Sequence, residues 1–239
     1  MGDGIALFCT LHPESQAKQE RCLDLLGRAA REYYPTPQAK CTTWSYFTPF
    51  PPPKPDSTTK PPVIGGLEVY TSKAALQHQV EDPVYFQHYH DTVKRERLYS
   101  QPEELVAWHL SEGFIARQIN AEPFGGVLIS VTKMTCKDRG EVLAFMHPFA
   151  HWVRVNEPGV LTYAIFTRPK APKEILLFVR YEDTKALKGH DKAPEHQVVV
   201  KKLGQMVDAT STTLWKEVKD SFVSNAVGGD AANSVVSKL

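Results

Sequence analysis

The pattern of apolar runs and turn residues is spelled out twice along this chain, and that duplication constrains its fold more than any other feature. Residues 5–11 are apolar on both faces, as a buried strand is, and residues 127–132 repeat the pattern after Gly125-Gly126. Each run precedes a stretch of helical period. In the first, Cys22, Leu25, Leu26, Ala29 and Tyr33 form the stripe and Pro35 stops it. In the second the stripe is Val142, Met146, Phe149 and Val153, Asp138 and Glu141 form a capping pair, and Pro158-Gly159 ends the helix. Pro148 inside that stretch predicts a kink.

Two strands follow in each half, over residues 42–47 and 64–70 and then 160–166 and 175–181. Next come the helical stretches of Ala75-Leu76 before Pro83 and Ala186-Leu187 before Pro194, with the same spacing from Leu to Pro. Closing strands are expected over 105–116 and 211–218. The order β-α-β-β-α-β, read twice, predicts an α+β fold of two ferredoxin-like repeats. The repeats span 1–117 and 125–224, with a linker at 118–124 and a flexible tail at 225–239. A proline-rich insertion at 49–62 in the first repeat has no counterpart in the second; such a segment is stiff and pairs poorly, and reads as a surface loop or a lid.

Composition narrows the function classes. The 239 residues carry 28 basic and 27 acidic side chains, a balance that argues against a dedicated nucleic-acid binder. No apolar run is long enough for a membrane helix, so no membrane partner is expected, and the first residues lack the pattern of a secretory signal. The four cysteines, Cys9, Cys22, Cys41 and Cys136, have no metal or redox spacing and read as reduced core residues. Ser237-Lys238-Leu239 matches the peroxisomal address tripeptide, which predicts recognition by the import receptor and residence in the peroxisomal matrix.

The second half resembles the antibiotic biosynthesis monooxygenase family. The residues that carry the resemblance are Asn156-Glu157-Pro158-Gly159 leading to Tyr163, the acidic turn Glu182-Asp183, Ala186-Leu187 followed by His190, and Pro194. In the first half Lys40 replaces the Gly, Trp44 the Tyr and Gln79 the His. The resemblance implies a dimeric α+β barrel, here fused into one pseudo-dimeric chain in which a single cavity could keep the ancestral chemistry. It also implies a monooxygenase of secondary metabolism that joins O2 to a small aromatic, phenolic or polyketide-like enolisable substrate. No metal, flavin, nicotinamide or other cofactor is expected.

On this reading His190 is the base and Tyr163 donates to the developing oxyanion. Trp44, Trp152, Phe149, Phe166 and Phe178 wall the substrate pocket, Arg180 neutralises an enolate, and His12 stands near the mouth. His78, His88 and His90 are expected on one helix, and His90 occupies the position of the axial ligand in haem-binding family members, a weaker alternative. His147 and His151 share a helix face, read as solvated rather than metal-binding. Trp108 and His109 alternate on the closing strand, with Trp108 expected inside. An isomerase or lyase of the same fold, or a non-catalytic small-molecule binding protein, are the alternatives, and assembly into a homodimer stays open.

Overall fold

The structure, a computed structural model, describes residues 4–52, 61–117 and 126–224. Most of the proline-rich insertion, the linker expected at 118–124 and the tail with Ser237, Lys238 and Leu239 lie outside the described residues. The elements of the first repeat are β1 (Ile5–Leu11), α1 (Gln16–Glu32), β2 (Cys41–Pro49), β3 (Ile64–Tyr70), α2 (Lys73–Val80), α3 (His88–Glu96) and β4 (Glu104–Phe114). The second repeat supplies β5 (Leu128–Cys136), α4 (Arg139–Asn156), β6 (Val160–Arg168), β7 (Ala171–Tyr181), α5 (Thr184–Lys192), α6 (Pro194–Met206), β8 (Val207–Glu217) and the short β9 (Val223–Ser224).

The fold class is α+β, and the doubled β-α-β-β-α-β order is present. In hydrogen-bonding order the strands run β3-β1-β4-β6-β7-β5-β8-β2-β9, and β2 also pairs with β3. Eight of them therefore close an antiparallel circuit, the barrel topology expected of a fused pair. Two compact units result, one of residues 4–107 with 216–224 and the other of 108–117 with 126–215. Their limits fall inside β4 and β8, so each unit borrows the end of the other repeat. In the first unit β9 pairs with β2, Trp44 opposite Val223. In the second, β4 pairs with β6, His109 opposite Thr167 through Phe114 opposite Tyr163.

Local chemistry explains where the helices begin. Ser15, Ser72, Asp138 and Asp183 stand at the N-caps of α1, α2, α4 and α5 in extended backbone, and each side chain accepts from a main-chain N–H of the first turn. The Asp138 cap bonds the Glu141 N–H at 3.0 Å, as the capping pair predicts. α4 runs unbroken through Pro148. Asp82 caps a wide π turn over Pro83–Gln87, and this turn divides the helix on which three histidines were expected. His78 is on α2, whereas His88 and His90 are on α3.

Two further corrections follow from packing. The helix expected before Pro194 is α5, but Pro194, at a first helical position where its missing N–H costs nothing, also opens α6, which was not expected. β8 consequently begins at Val207, four residues before the expected strand, straight from the last turn of α6. Trp108 is buried at 3% exposure, as its alternation with His109 predicts. All four cysteines are buried free thiols.

Candidate active site

A cavity of about 280 Å³ lies within the first unit, between its sheet and its helices. Leu7, Cys9 and Leu11 of β1, Trp44 and Tyr46 of β2 and Glu68 of β3 form the sheet side. Alternate residues of a strand share a face, which is why these positions are two apart on β1 and on β2. Leu25, Leu26 and Ala29 of α1 and Leu76, Gln79 and Val80 of α2 close the helical side. Tyr34, Tyr85, Phe86, Tyr89 and His90 add aromatic wall, and Glu103 and Leu105 complete the lining.

Glu68 is the unusual member. It sits in a strand that is otherwise Ile64-Gly65-Gly66-Leu67 and Val69-Tyr70, and it is 7% exposed. A buried carboxyl is costly unless hydrogen-bonded, and three groups converge on it. Tyr46 Oη donates to Oε1 at 2.7 Å and Tyr70 Oη to Oε2 at 2.6 Å, while Cys9 Sγ lies 3.9 Å from Oε1. Gly66 makes the first contact feasible. It faces Tyr46 across the β2–β3 ladder, and a Cβ at Gly66 would stand 2.7 Å from the Tyr46 ring. The phenol therefore lies flat over the glycine and its hydroxyl reaches Glu68.

Burial pushes the Glu68 carboxyl above the usual carboxylate range; hydrogen bonds from Tyr70 and Tyr46 oppose this and leave a net rise. Burial likewise raises the Tyr46, Tyr70 and Cys9 groups well above their ordinary values, so all three stay protonated donors. His90 Nδ1 lies 3.9 Å from Glu103 Oε1, and burial lowers the imidazole below its usual value. The site thus holds a carboxyl, Glu68, that keeps its proton more firmly than an exposed glutamate within a mainly apolar chamber.

A second aromatic set stands above Trp44. Tyr34 stacks on the indole with ring centroids 3.6 Å apart, and Gln79 Nε2 donates to the Tyr34 hydroxyl. Trp44 is 4% exposed and Gln79 1%, yet Trp44 Nε1 and Gln79 Oε1 have no hydrogen-bond partner among the described residues.

The expected site residues fall into three places. Trp44 and His90 line the cavity. His12 is in the same unit but not in the lining; its Nε2 is 3.4 Å from Glu104 Oε1. The others belong to the second unit. His190 is 4% exposed, and its Nδ1 meets Glu157 Oε2 at 2.5 Å. The rings of Phe149, Tyr163, Tyr181 and His196 surround it at centroid distances of 4.2 to 6.1 Å. Phe149 also stacks on Trp152.

Phe166, Phe178 and Arg180 do not join that group. Tyr163 and Ile165 of β6 and Val179 and Tyr181 of β7 belong to the core shared with α4. Strand alternation then turns Phe166, Phe178 and Arg180 to the opposite face of the sheet. Arg180 is buried there at 3% exposure, with Nη1 3.4 Å from Thr162 Oγ1. The pocket wall expected from sequence is therefore divided by the sheet itself.

Register makes the two repeats comparable. Cys41 pairs with Tyr70 as Val160 pairs with Tyr181. Trp44 consequently corresponds to Tyr163, Glu68 to Val179 and Gln79 to His190. Where the second repeat packs a histidine among rings, the first has glutamine, tryptophan and a carboxyl around a cavity. Glu68, Tyr46 and Tyr70 escaped the sequence reading, although a lone Glu in the run 64–70 was the available signal. Among the described residues no group of three or more His, Cys, Asp or Glu side chains is placed to hold a metal ion, and His147 and His151 are both exposed.

The topology defines a tandem α+β-barrel fold, and the first unit contains an internal cavity. Residues 131–202 match the family model of antibiotic biosynthesis monooxygenases, and the matched segment contains the run from Glu157 to Pro194 that carries the resemblance. Among solved structures, an inferred monooxygenase from Lactobacillus acidophilus superposes with a TM-score of 0.74 at 13% identity, covering 95% of this chain and 98% of that one. An inferred monooxygenase from Fusobacterium nucleatum gives 0.75 at 11% identity over 94% and 96% of the two chains. An anthrone oxidase-like protein gives 0.57 at 12% identity over 96% and 97%. At these identities the likeness is one of fold, a monooxygenase-like fold across both repeats. No curated protein matches the chain.

Proposed function

We propose that the chain is a cofactor-independent monooxygenase that oxygenates a small phenolic or enolisable aromatic compound in the first-repeat cavity. The observation that carries this reading is the Glu68 carboxyl, buried in an apolar aromatic chamber and raised above its usual pKa. A carboxyl raised in this way is a stronger base than an exposed glutamate, which suits it to take a proton from an acidic C–H or O–H.

The balance of the reaction is simple. Glu68 takes the acidic proton from a ring methylene flanked by a carbonyl, and the resulting delocalised anion passes one electron to dioxygen. The two radicals combine to form a C–O bond, and the peroxide anion takes the proton back from Glu68. Loss of water then leaves a carbonyl, so one substrate and one O2 give one quinone and one H2O. Exclusion of water strengthens each electrostatic contact during these steps. The exposed side chains of Val80 and Leu105, 38% and 51% exposed, flank the cavity and suit an apolar substrate on its way in. The anthrone oxidase-like neighbour favours a fused-ring ketone.

The test is oxygen uptake by purified protein with anthrone and 1,8-dihydroxyanthrone, without added metal, flavin or nicotinamide. The expected result is one O2 consumed per quinone formed. Conversion that continues without oxygen would place the protein among isomerases or lyases, and saturable binding without conversion would make it a carrier; either outcome overturns the monooxygenase reading. We also propose peroxisomal residence from Ser237-Lys238-Leu239.

A further inference from the structure

The charge of the first-unit cavity is one-sided. Among the described residues two carboxyls line it, Glu68 and Glu103, and no lysine or arginine does. Glu68 is already engaged, since each of its oxygens accepts a tyrosine hydroxyl. Glu103 stands just before β4 with its side chain 25% exposed, two residues from the exposed Leu105 that flanks the cavity. Its only ion-pair partner among the described residues is His90, whose Nδ1 at 3.9 Å is too distant for a hydrogen bond. Burial holds that imidazole below its ordinary value despite the pull of Glu103, so it carries no charge at neutral pH. Lys94, one turn along α3 from His90, is exposed and outside the lining. Burial raises the Glu68 carboxyl and the Glu103 charge adds to the rise, as two acidic groups sharing one small chamber must.

Aromatic faces surround this end of the cavity. The Phe86 ring lies 4.4 Å from the His90 ring and the Tyr89 ring stands edge-on to it at 5.4 Å, with Tyr85 in the same wall. The Tyr89 hydroxyl is bonded to the Tyr99 hydroxyl, so Tyr89 offers the site its ring. A carboxylate without a counter-ion, set beside rings, is the chemistry that holds an organic ammonium: the ring faces attract the cation and the carboxylate accepts its N–H.

We propose that Glu103 makes the first-repeat cavity a site for aromatic amines in their ammonium form. The cation sits near the mouth against Glu103, Phe86 and Tyr89, where it keeps part of its hydration, and the apolar body lies inside against Trp44 and the leucines of β1. The same arrangement rejects acids, because an anionic ligand would bring a further negative charge into a chamber with no cation to meet it. This inference rests on the proposed use of the first-repeat cavity, but it concerns binding and does not require turnover.

Calorimetric binding of three probes at neutral pH tests it. 2-(1-Naphthyl)ethylamine, 2-(1-naphthyl)ethanol and 1-naphthylacetate share one ring system and a short arm, and are cationic, neutral and anionic. The wild-type protein is expected to bind the amine at least about fivefold more tightly than the alcohol, and the acetate most weakly. Glu103→Gln is expected to remove the advantage of the amine and leave the affinity for the alcohol within about twofold, whereas Glu68→Gln is expected to keep the advantage. Circular dichroism shows whether each variant is folded; should Glu103→Gln unfold, Glu103→Ala carries the same expected loss. Equal or weaker binding of the amine, an advantage that survives loss of the Glu103 carboxylate, or failure of all three probes to bind overturns the proposal. The expected pattern without oxygen uptake on any substrate would sink the monooxygenase reading alone, whereas oxygen uptake without the pattern would sink this one alone.

Discussion

Glu68→Gln separates a proton acceptor from a structural carboxyl, and the structure sets the size of the effect. The amide keeps the shape of the side chain and one acceptor oxygen, so one of the two tyrosines that bond Glu68 at 2.7 and 2.6 Å keeps its contact. The other tyrosine hydroxyl meets an NH2 and has to turn from donor to acceptor. Loss of one hydrogen bond to a charged group costs roughly 1.5–3 kcal/mol, and relief of a buried charge offsets part of it. Activity has no such compensation. A missing general base lowers kcat/KM by roughly 10²–10⁴, or about 3–5 kcal/mol of barrier.

The pH dependence gives a second, independent reading of the same residue. Because burial raises the carboxyl in the folded protein above its ordinary value of 4.5, the unfolded chain releases this proton first. The Glu68 contribution to stability is thus complete below about pH 4.5 and is lost as pH rises through the displaced value, at up to ~1.4 kcal/mol per pH unit within that window. Glu68→Gln lacks this term. Urea denaturation of both proteins from pH 4 to pH 8 should show the variant gaining on the wild type as pH rises, and the wild-type kcat/KM should climb through the same window. Turnover within threefold of wild type, or a stability difference that is constant with pH, would refute the reasoning.

The remaining predictions concern the second repeat and the tail. His190→Ala strands the Glu157 carboxylate and opens a hole among Phe149, Tyr163 and Tyr181, so it should cost about 3–5 kcal/mol in chemical denaturation while turnover of the folded protein falls less than tenfold. A loss of more than a hundredfold at unchanged stability would return the role of base to His190. Residues 225–239 fused to the C-terminus of a fluorescent protein should direct it to peroxisomes, and removal of Leu239 should leave it in the cytosol. Cytosolic fluorescence from the intact fusion would end the targeting proposal.

Much of the scaffold was legible because it is local. Ser15, Ser72, Asp138 and Asp183 announce helix starts, and the strand 175–181 carries apolar residues wherever it faces the helix layer. The division of His78 from His88 and His90 was less legible, since Pro83 can open a turn as readily as it ends a helix. α6 and β9 were missed for a related reason. Pro194 reads as a stop until the chain after it is seen to pack Val199 into the second core, and a two-residue strand such as β9 has no periodicity to detect.

The site was harder to read because the family motif and the cavity lie in different repeats. Glu157, Tyr163 and His190 retain the motif, and in this chain they pack against one another: a carboxylate on an imidazole at 2.5 Å, enclosed by four rings. The first repeat departs from the motif at each corresponding position, and the departures act together. Gln79 in place of His and Trp44 in place of Tyr leave polar atoms without partners among the described residues, Glu68 in place of Val adds an ionisable group, and Gly66 lets Tyr46 lie over the strand to reach it. A glutamate in a strand reads as an ordinary solvent-facing residue until the opposing glycine and tyrosine are known to share its face. Duplication accounts for the arrangement physically. With one repeat preserving a well-packed family core, the other can carry a buried carboxyl and unpaired polar atoms, which cost stability and are the features a small-molecule site requires.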